Sequence, residues 1–304
     1  MTAQEQIDQD PKKIPILPVD PEQFIYKDIP EYITINDEFF LFGCFMRSKL
    51  NLLIEGEKGL GKTLSVAAWA SKNKIPIIQC ECSETTQEDD LIGNLLPIDG
   101  NIVYKLGPLP AAIQVANQCG KAVLCFEELN ALSPSTQKVL NQMLDWRKGR
   151  VFVSDINRTF HLKPDSSLLV VATMNPAGYG GTYSLNDDLA SRFEKEIATY
   201  PDQQKLQKII QSQTEITGYF PQMLRLLQEL RASKTKGDIS YEPSPRDLVS
   251  FYRLYNALKM EIQIERPLLK ALRLSIINKT EDESERVFIQ TRINSIFGSV
   301  LLQN

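Results

Sequence analysis

The stretch Gly56-Glu57-Lys58-Gly59-Leu60-Gly61-Lys62-Thr63 constrains this chain more than any other. Its spacing, G-x-x-x-x-G-K-[ST], is that of a phosphate-cradling loop. It lies where such a loop must, after the apolar run Leu50 to Glu55 and before the helical pattern Leu64 to Ala70. Glycines let backbone N–H groups turn toward phosphate oxygens, and the new helix adds its positive end to the same place. Such a strand–loop–helix unit predicts an α/β fold with a parallel sheet and helices on both faces. Up to Pro201 the chain keeps that rhythm. Further strands are expected over Pro76 to Cys82, Ala122 to Phe126, Ser167 to Met174 and Lys195 to Thr199, which makes a five-stranded sheet.

Beyond Pro201 the strand signals stop and helical spacing takes over, as in Met223-Leu224-Leu226-Leu227-Leu230 and Leu248-Phe251-Tyr252-Leu254-Tyr255-Leu258. The 304 residues are more than one core usually carries. The expected division is a flexible arm over 1–20, an α/β domain over 21–200 and a small all-helical lid domain over 201–304. Ser233 to Pro245, with Gly237, Pro243 and Pro245, reads as a loop inside the helical part. Two hairpins interrupt the α/β rhythm. One, at about 94–106, has Asp99-Gly100 at its turn, and the other, at about 150–163, turns through Asp155-Ile156-Asn157.

Thirty-four basic against 38 acidic residues give a formal charge of −4, the opposite of the footprint of a dedicated duplex binder. The longest apolar run, Phe39 to Met46, falls far short of the roughly 20 residues that span a bilayer, so no membrane segment is expected. With Trp69 this run reads as core. No secretory signal is legible in MTAQEQIDQDPKK, and a cytoplasmic protein is expected. The five cysteines read as reduced, buried thiols. A single histidine, His161, leaves little material for a His-based metal site or a nucleophile–histidine pair.

In the loop, Lys62 would reach β- and γ-phosphates and the Thr63 hydroxyl would ligate Mg²⁺. The candidate nucleotide-binding set is Gly56, Glu57, Lys58, Gly59, Leu60, Gly61, Lys62, Thr63 and Leu64. Some 60 residues on, Ala122-Val123-Leu124-Cys125-Phe126-Glu127-Glu128 is an apolar strand ending in two carboxylates. Consecutive strand residues face opposite ways, so the pair can divide its work. Glu127 would lean on the Mg²⁺ shell and Glu128 would orient and deprotonate a water. Glu127 is one methylene longer than the Asp usual at that place. Phosphoryl transfer needs further polar groups at the γ-phosphate. Asn175, after the strand that ends at Met174, is the candidate amide; Arg192 is a candidate arginine finger, and Arg246 a candidate contact from the lid. Arg147 and Arg150 read as a solvated helix end, and Glu281 to Glu285 as a solvated turn.

In order along the chain, four motifs resemble AAA+ ATPases of the MoxR type, in the helix-2-insert clade with the CbbQ/NirQ/NorQ proteins and McrB. They are the glycine loop; Glu81 to Thr86 with Asp90-Leu91-Ile92-Gly93; Glu127-Glu128-Leu129-Asn130 with Thr136-Gln137; and Gly181 to Leu185 leading to Ser191-Arg192-Phe193. Ser244-Pro245-Arg246 resembles that family's sensor 2. The resemblance implies a P-loop (AAA+) sheet with a helical lid, ATP and Mg²⁺ as cofactors, and a homo-oligomeric ring, read as a hexamer, with ATP at its interfaces. It also implies a chaperone-like remodeller or activator of a protein client or of a partner with a von Willebrand factor A domain. The first hairpin would be the helix-2 insertion and the second the pre-sensor-1 hairpin. Two other readings stand beside it: an ATP-gated assembly module with little turnover, and a nucleic-acid-directed McrB-like motor, which the acidic balance disfavours.

Overall fold

The structure, a computed structural model, describes residues 14–144, 149–176 and 183–302. Arg147, Gly181 and Thr182 lie outside the described residues. The chain divides into two compact units, one of Met1–Ile29, Asn36–Gly56 and Lys62–Ala198, the other of Pro30–Ile35, Glu57–Gly61 and Thr199–Asn304. The second unit thus takes in two short stretches from far upstream, one of them the tip of the glycine loop.

The first unit runs α1 (Glu38–Ser48), β1 (Asn51–Glu55), α2 (Lys62–Lys72), β2 (Ile77–Glu81), α3 (Glu88–Ile92), β3 (Gly93–Ile98), β4 (Asn101–Leu106), α4 (Pro108–Cys119), β5 (Lys121–Glu127), α5 (Pro134–Leu144), β6 (Arg150–Val153), β7 (Arg158–His161), β8 (Ser167–Met174), α6 (Asp187–Ala190) and β9 (Phe193–Ile197). Five strands pair in parallel in the order β2-β5-β8-β1-β9. Because a parallel strand is buried on both faces, its sequence is a continuous apolar run rather than an alternation. The Ala122 to Phe126 stretch of β5 is such a run, buried throughout. Its pleat sends Ala122, Leu124 and Phe126 into one core with Leu109, Ile113 and Leu140 of α4 and α5. Val123 and Cys125 enter a second core with Phe42, Met46, Val66 and Trp69 of α1 and α2. Helices therefore cover both faces.

The last strand sits two residues earlier than the expected Lys195 to Thr199, because buried Phe193 pairs opposite Asn51 at its start. The expected arm also differs. Ile14, Ile16 and Val19 pack on the first core, Ile16 bridges to Tyr104, and the Leu17 amide donates to the Tyr104 carbonyl at 2.9 Å. Both hairpins are antiparallel pairs, β3 with β4 and β6 with β7. Asp99 and Gly100 have φ of 49° and 79°, the two left-handed residues that a two-residue turn matched to strand twist requires. Of the cysteines, Cys80, Cys82 and Cys125 are buried and Cys44 half-buried, but Cys119 is exposed at the end of α4.

The second unit holds α7 (Gln203–Gln211), α8 (Phe220–Lys236), α9 (Pro245–Lys259), α10 (Pro267–Ser275) and α11 (Glu283–Phe297) around a third core that includes Leu227, Leu230, Phe251, Tyr252, Leu272 and Ile293. Ser233 to Lys236 belong to α8 rather than to the expected loop. The helix ends only where Gly237, at φ 80°, turns left-handed and its amide caps the last carbonyls. Helix α9 starts on a capping box, with the Ser244 amide donating to the Asp247 carboxylate at 2.8 Å and Pro245 in the first turn. The acidic run at 281–285 is not merely solvated. Asp282 caps α11, and the Glu285 carboxylate accepts from the Ser240 amide at 2.5 Å and the Thr280 hydroxyl at 2.8 Å. Among the described residues no helix is long and apolar enough to cross a membrane.

Candidate nucleotide-binding site

Ligands of open α/β sheets gather at the carboxyl ends of the strands. Here β1, β8 and β5 are adjacent, so the segments following Glu55, Met174 and Glu127 meet. Lys62, on the first turn of α2, extends its ammonium back across that rim. It donates to the Gly56 carbonyl at 2.5 Å and to the Asn175 Oδ1 at 3.1 Å. The Asn175 amide nitrogen in turn donates to Glu128 Oε1 at 3.4 Å. Lysine, amide and carboxylate thus form one chain across three segments that the sequence keeps far apart.

Glu127 ends β5 on the pleat face shared with α2 and accepts hydrogen bonds from the Thr63 hydroxyl and from Gln79 Nε2, the latter at 2.8 Å. Burial pushes its carboxyl above the usual glutamate range, with Glu81 and Glu128 adding in the same direction and the Thr63 and Gln79 hydrogen bonds opposing. An oxygen cluster that resists holding a bare negative charge is stabilised by a divalent cation. The Thr63 and Glu127 oxygens, already within hydrogen-bond reach, fit Mg²⁺, a hard ion that takes one or two protein oxygens and keeps its waters.

Glu128 is reached by a different route from the expected one. It is not a strand residue pointing opposite to Glu127. Its backbone turns left-handed at φ 54°, ψ 49°, and its amide donates to Thr173 Oγ1 at 3.3 Å. This αL kink, rather than the pleat, separates the two carboxylates. Asn130 then ties the turn down, its Nδ2 donating to the Asn175 carbonyl at 3.1 Å and its carbonyl accepting from the Tyr183 amide at 2.6 Å. Gln79 and Thr173 belong to no motif of the sequence. Their signal was a single polar residue inside an apolar strand, Ile77-Ile78-Gln79-Cys80 and Val170-Val171-Ala172-Thr173.

The loop tip Glu57–Gly61 belongs to the helical unit. Gly59, at φ +80°, has no room for a side chain, since a Cβ there would fall 2.3 Å from Ser244 Oγ and 3.4 Å from Arg246 Cβ. Glu57 pairs with Lys234 of α8 at 3.1 Å, and Lys234 also faces Glu242 at 3.7 Å. Leu60 is buried, whereas Gly61, Thr63 and Leu64 are half-buried and Lys58 is exposed. Arg246 lies in the first turn of α9 with its side chain exposed, beside the loop tip of its own unit. Arg192, between α6 and β9, is half-buried. Its Nε donates to Asn141 Oδ1 of α5 at 3.1 Å, and its carbonyl accepts from Asn51 at 2.9 Å. The structure thus brings Lys62, Thr63, Glu127, Glu128 and Asn175 together in the sheet unit and sets Arg192 apart, bonded to Asn141 of α5. Arg246 stands beside Gly59 in the helical unit.

Residues 51–193 match the family model of the AAA domain, dynein-related subfamily. An uncharacterized protein of Staphylococcus haemolyticus is 28% identical over 258 residues, covering 81% of this chain and 90% of its own length. One from Staphylococcus aureus strain USA300 shows the same identity and coverage. The crystal structure of a "putative ATPase" from Cytophaga hutchinsonii is 20% identical and covers 86% of this chain and 90% of its own, with a TM-score of 0.46. The stretch similar to the AAA domain opens on the first residue of β1 and closes on the first residue of β9, and so encloses the glycine loop, Glu127, Glu128, Asn175 and Arg192.

Proposed function

We propose that this chain is an Mg-ATP-dependent ATPase that works as a homo-oligomeric ring, hexameric on the MoxR resemblance, and remodels or activates a protein partner. The observation that carries the reading is the Lys62–Asn175–Glu128 chain beside the Thr63–Glu127 pair, at the carboxyl ends of three neighbouring parallel strands. Bound Mg-ATP supplies the phosphoanhydride to be broken and a cation that spreads the charge developing on it. The loop amides and Lys62 hold the phosphates, and Thr63 and Glu127 hold the metal. Asn175 orients Glu128, whose carboxylate takes the proton from water. Arg192, held on α5 by Asn141, is the group offered to a neighbouring copy.

The reading is tested by ATP hydrolysis measured against protein concentration for wild type, Glu128→Gln and Arg192→Ala. Specific activity that rises with concentration is expected, with both variants losing about a hundredfold or more. Glu128→Gln keeps nucleotide binding. Mg-ATP binding without turnover at any concentration favours instead the assembly module, a reading supported by Glu127 standing where the usual residue is the shorter aspartate.

A further inference from the structure

Within the helical unit, α10, α11 and the turn joining them leave an open groove of about 1140 Å³. Its chemistry is at odds with the rest of the chain. Residues 199–304 carry fifteen Lys and Arg against twelve Asp and Glu, a formal +3, while the whole chain is −4. The groove concentrates that excess, with Arg266, Lys270 and Arg273 in one stripe along α10 and Arg286 facing them from α11.

Two of the stripe's three cations cost α10 stability; the third, Arg273, stands in the last turn, where a positive charge favours the helix. Like charges three and four residues apart on a helix repel. Arg266 sits at the N-cap at φ 56°, and no acid occupies the first turn, where a negative charge would favour the helix. Among the described residues no carboxylate pairs with Arg266, Lys270 or Arg273, although six Lys and Arg elsewhere in the unit have found acids. Beside the cations stand two apolar side chains open to solvent, Leu274 at 46% and Val287 at 62% exposure. Local choices that oppose a helix's own stability mark surfaces kept for something else.

We infer that this groove is the docking surface for an acidic amphipathic helix of a partner protein. Arg266 and Arg273 are seven residue steps apart, or about 10 Å of helix axis, so the partner must offer carboxylates over about two turns and a neighbouring apolar stripe for Leu274 and Val287. A nucleic acid suits the groove less well. No aromatic side chain lines it for base stacking.

The test uses the full chain and labelled peptides of about fourteen residues built from Glu, Leu and Ala, with glutamates at i, i+4 and i+7 beside a leucine stripe. A peptide with each Glu replaced by Gln and a single-stranded oligonucleotide serve as comparisons. Fluorescence anisotropy should show the acidic peptide bound, with affinity falling as salt rises, and the Gln peptide at least about tenfold weaker. Lys270→Glu with Arg273→Glu should weaken binding by about tenfold or more while circular dichroism shows the chain still folded. Val287→Asp should weaken it independently. Equal binding of the acidic and Gln peptides, no binding of either, undiminished binding by the charge-reversed chain, or preference for the oligonucleotide each overturns the proposal. ATP turnover is not the readout, so the result stands whatever becomes of the ATPase reading.

Discussion

Glu128 holds a left-handed backbone conformation at φ 54°, which costs a residue with a side chain on the order of 1–3 kcal/mol. The surroundings that hold it there are the Thr173 hydroxyl under its amide and Asn175 at its carboxylate. Glu128→Gly should therefore stabilise the fold by about 1 kcal/mol in denaturant melts while abolishing ATP turnover, whereas Glu128→Gln should leave the melt nearly unchanged. Gly59 sets the opposite case. Gly59→Ala places a methyl group against Ser244 and should lower both the thermal midpoint and nucleotide affinity, read by melting with and without Mg-ATP. The residue types of the site were legible in the sequence, because a glycine loop and a strand ending in two carboxylates are local patterns. The αL turn at Glu128 was not, since it depends on Thr173 and Asn175, more than 40 residues away.

Among the elements, α11 depends most visibly on ionisation. Burial pushes the Glu285 carboxyl up, but hydrogen bonds from the Ser240 amide and the Thr280 hydroxyl outweigh it and hold the group below the usual glutamate range. Asp282, the cap, is held low by the Ser284 hydroxyl and the Glu285 amide. A carboxyl depressed on folding stabilises the fold at every pH above its unfolded value, and that contribution disappears as pH falls through the folded one. Acidification below about pH 4.5 should therefore loosen α11. Glu285→Gln should flatten the pH dependence of stability over that range, as followed by circular dichroism. In sequence this run reads as a solvated turn because its partners, Ser240 and Thr280, are neutral residues that no local pattern links to it. The four strands flanked by clear turn signals were placed to within about a residue. The fifth slipped by two, since Phe193 follows Arg192 with no glycine or proline to mark the start.

On the scale of the molecule the described residues form three cores, two against the faces of the sheet and one inside the helical unit. Leu230→Ala, at a fully buried position of the helical core, should cost about 2–5 kcal/mol. Hydrogen exchange should report the loss in α8 and α9 first, with protection in β5 and β8 retained. The boundary between sheet and helical parts near residue 200 was readable from where strand periodicity stops. The membership of Pro30–Ile35 and Glu57–Gly61 in the helical unit was not, because packing between segments so far apart leaves no local pattern. This shared membership sets a limit on dissection. A fragment cut after Ala198 would keep every residue of the glycine loop yet lose Ser244 beside Gly59 and Lys234 beside Glu57, so the intact motif would be left without the surface that shapes it. The smallest piece of this protein able to grip a nucleotide is therefore larger than the stretch in which the nucleotide motif is written.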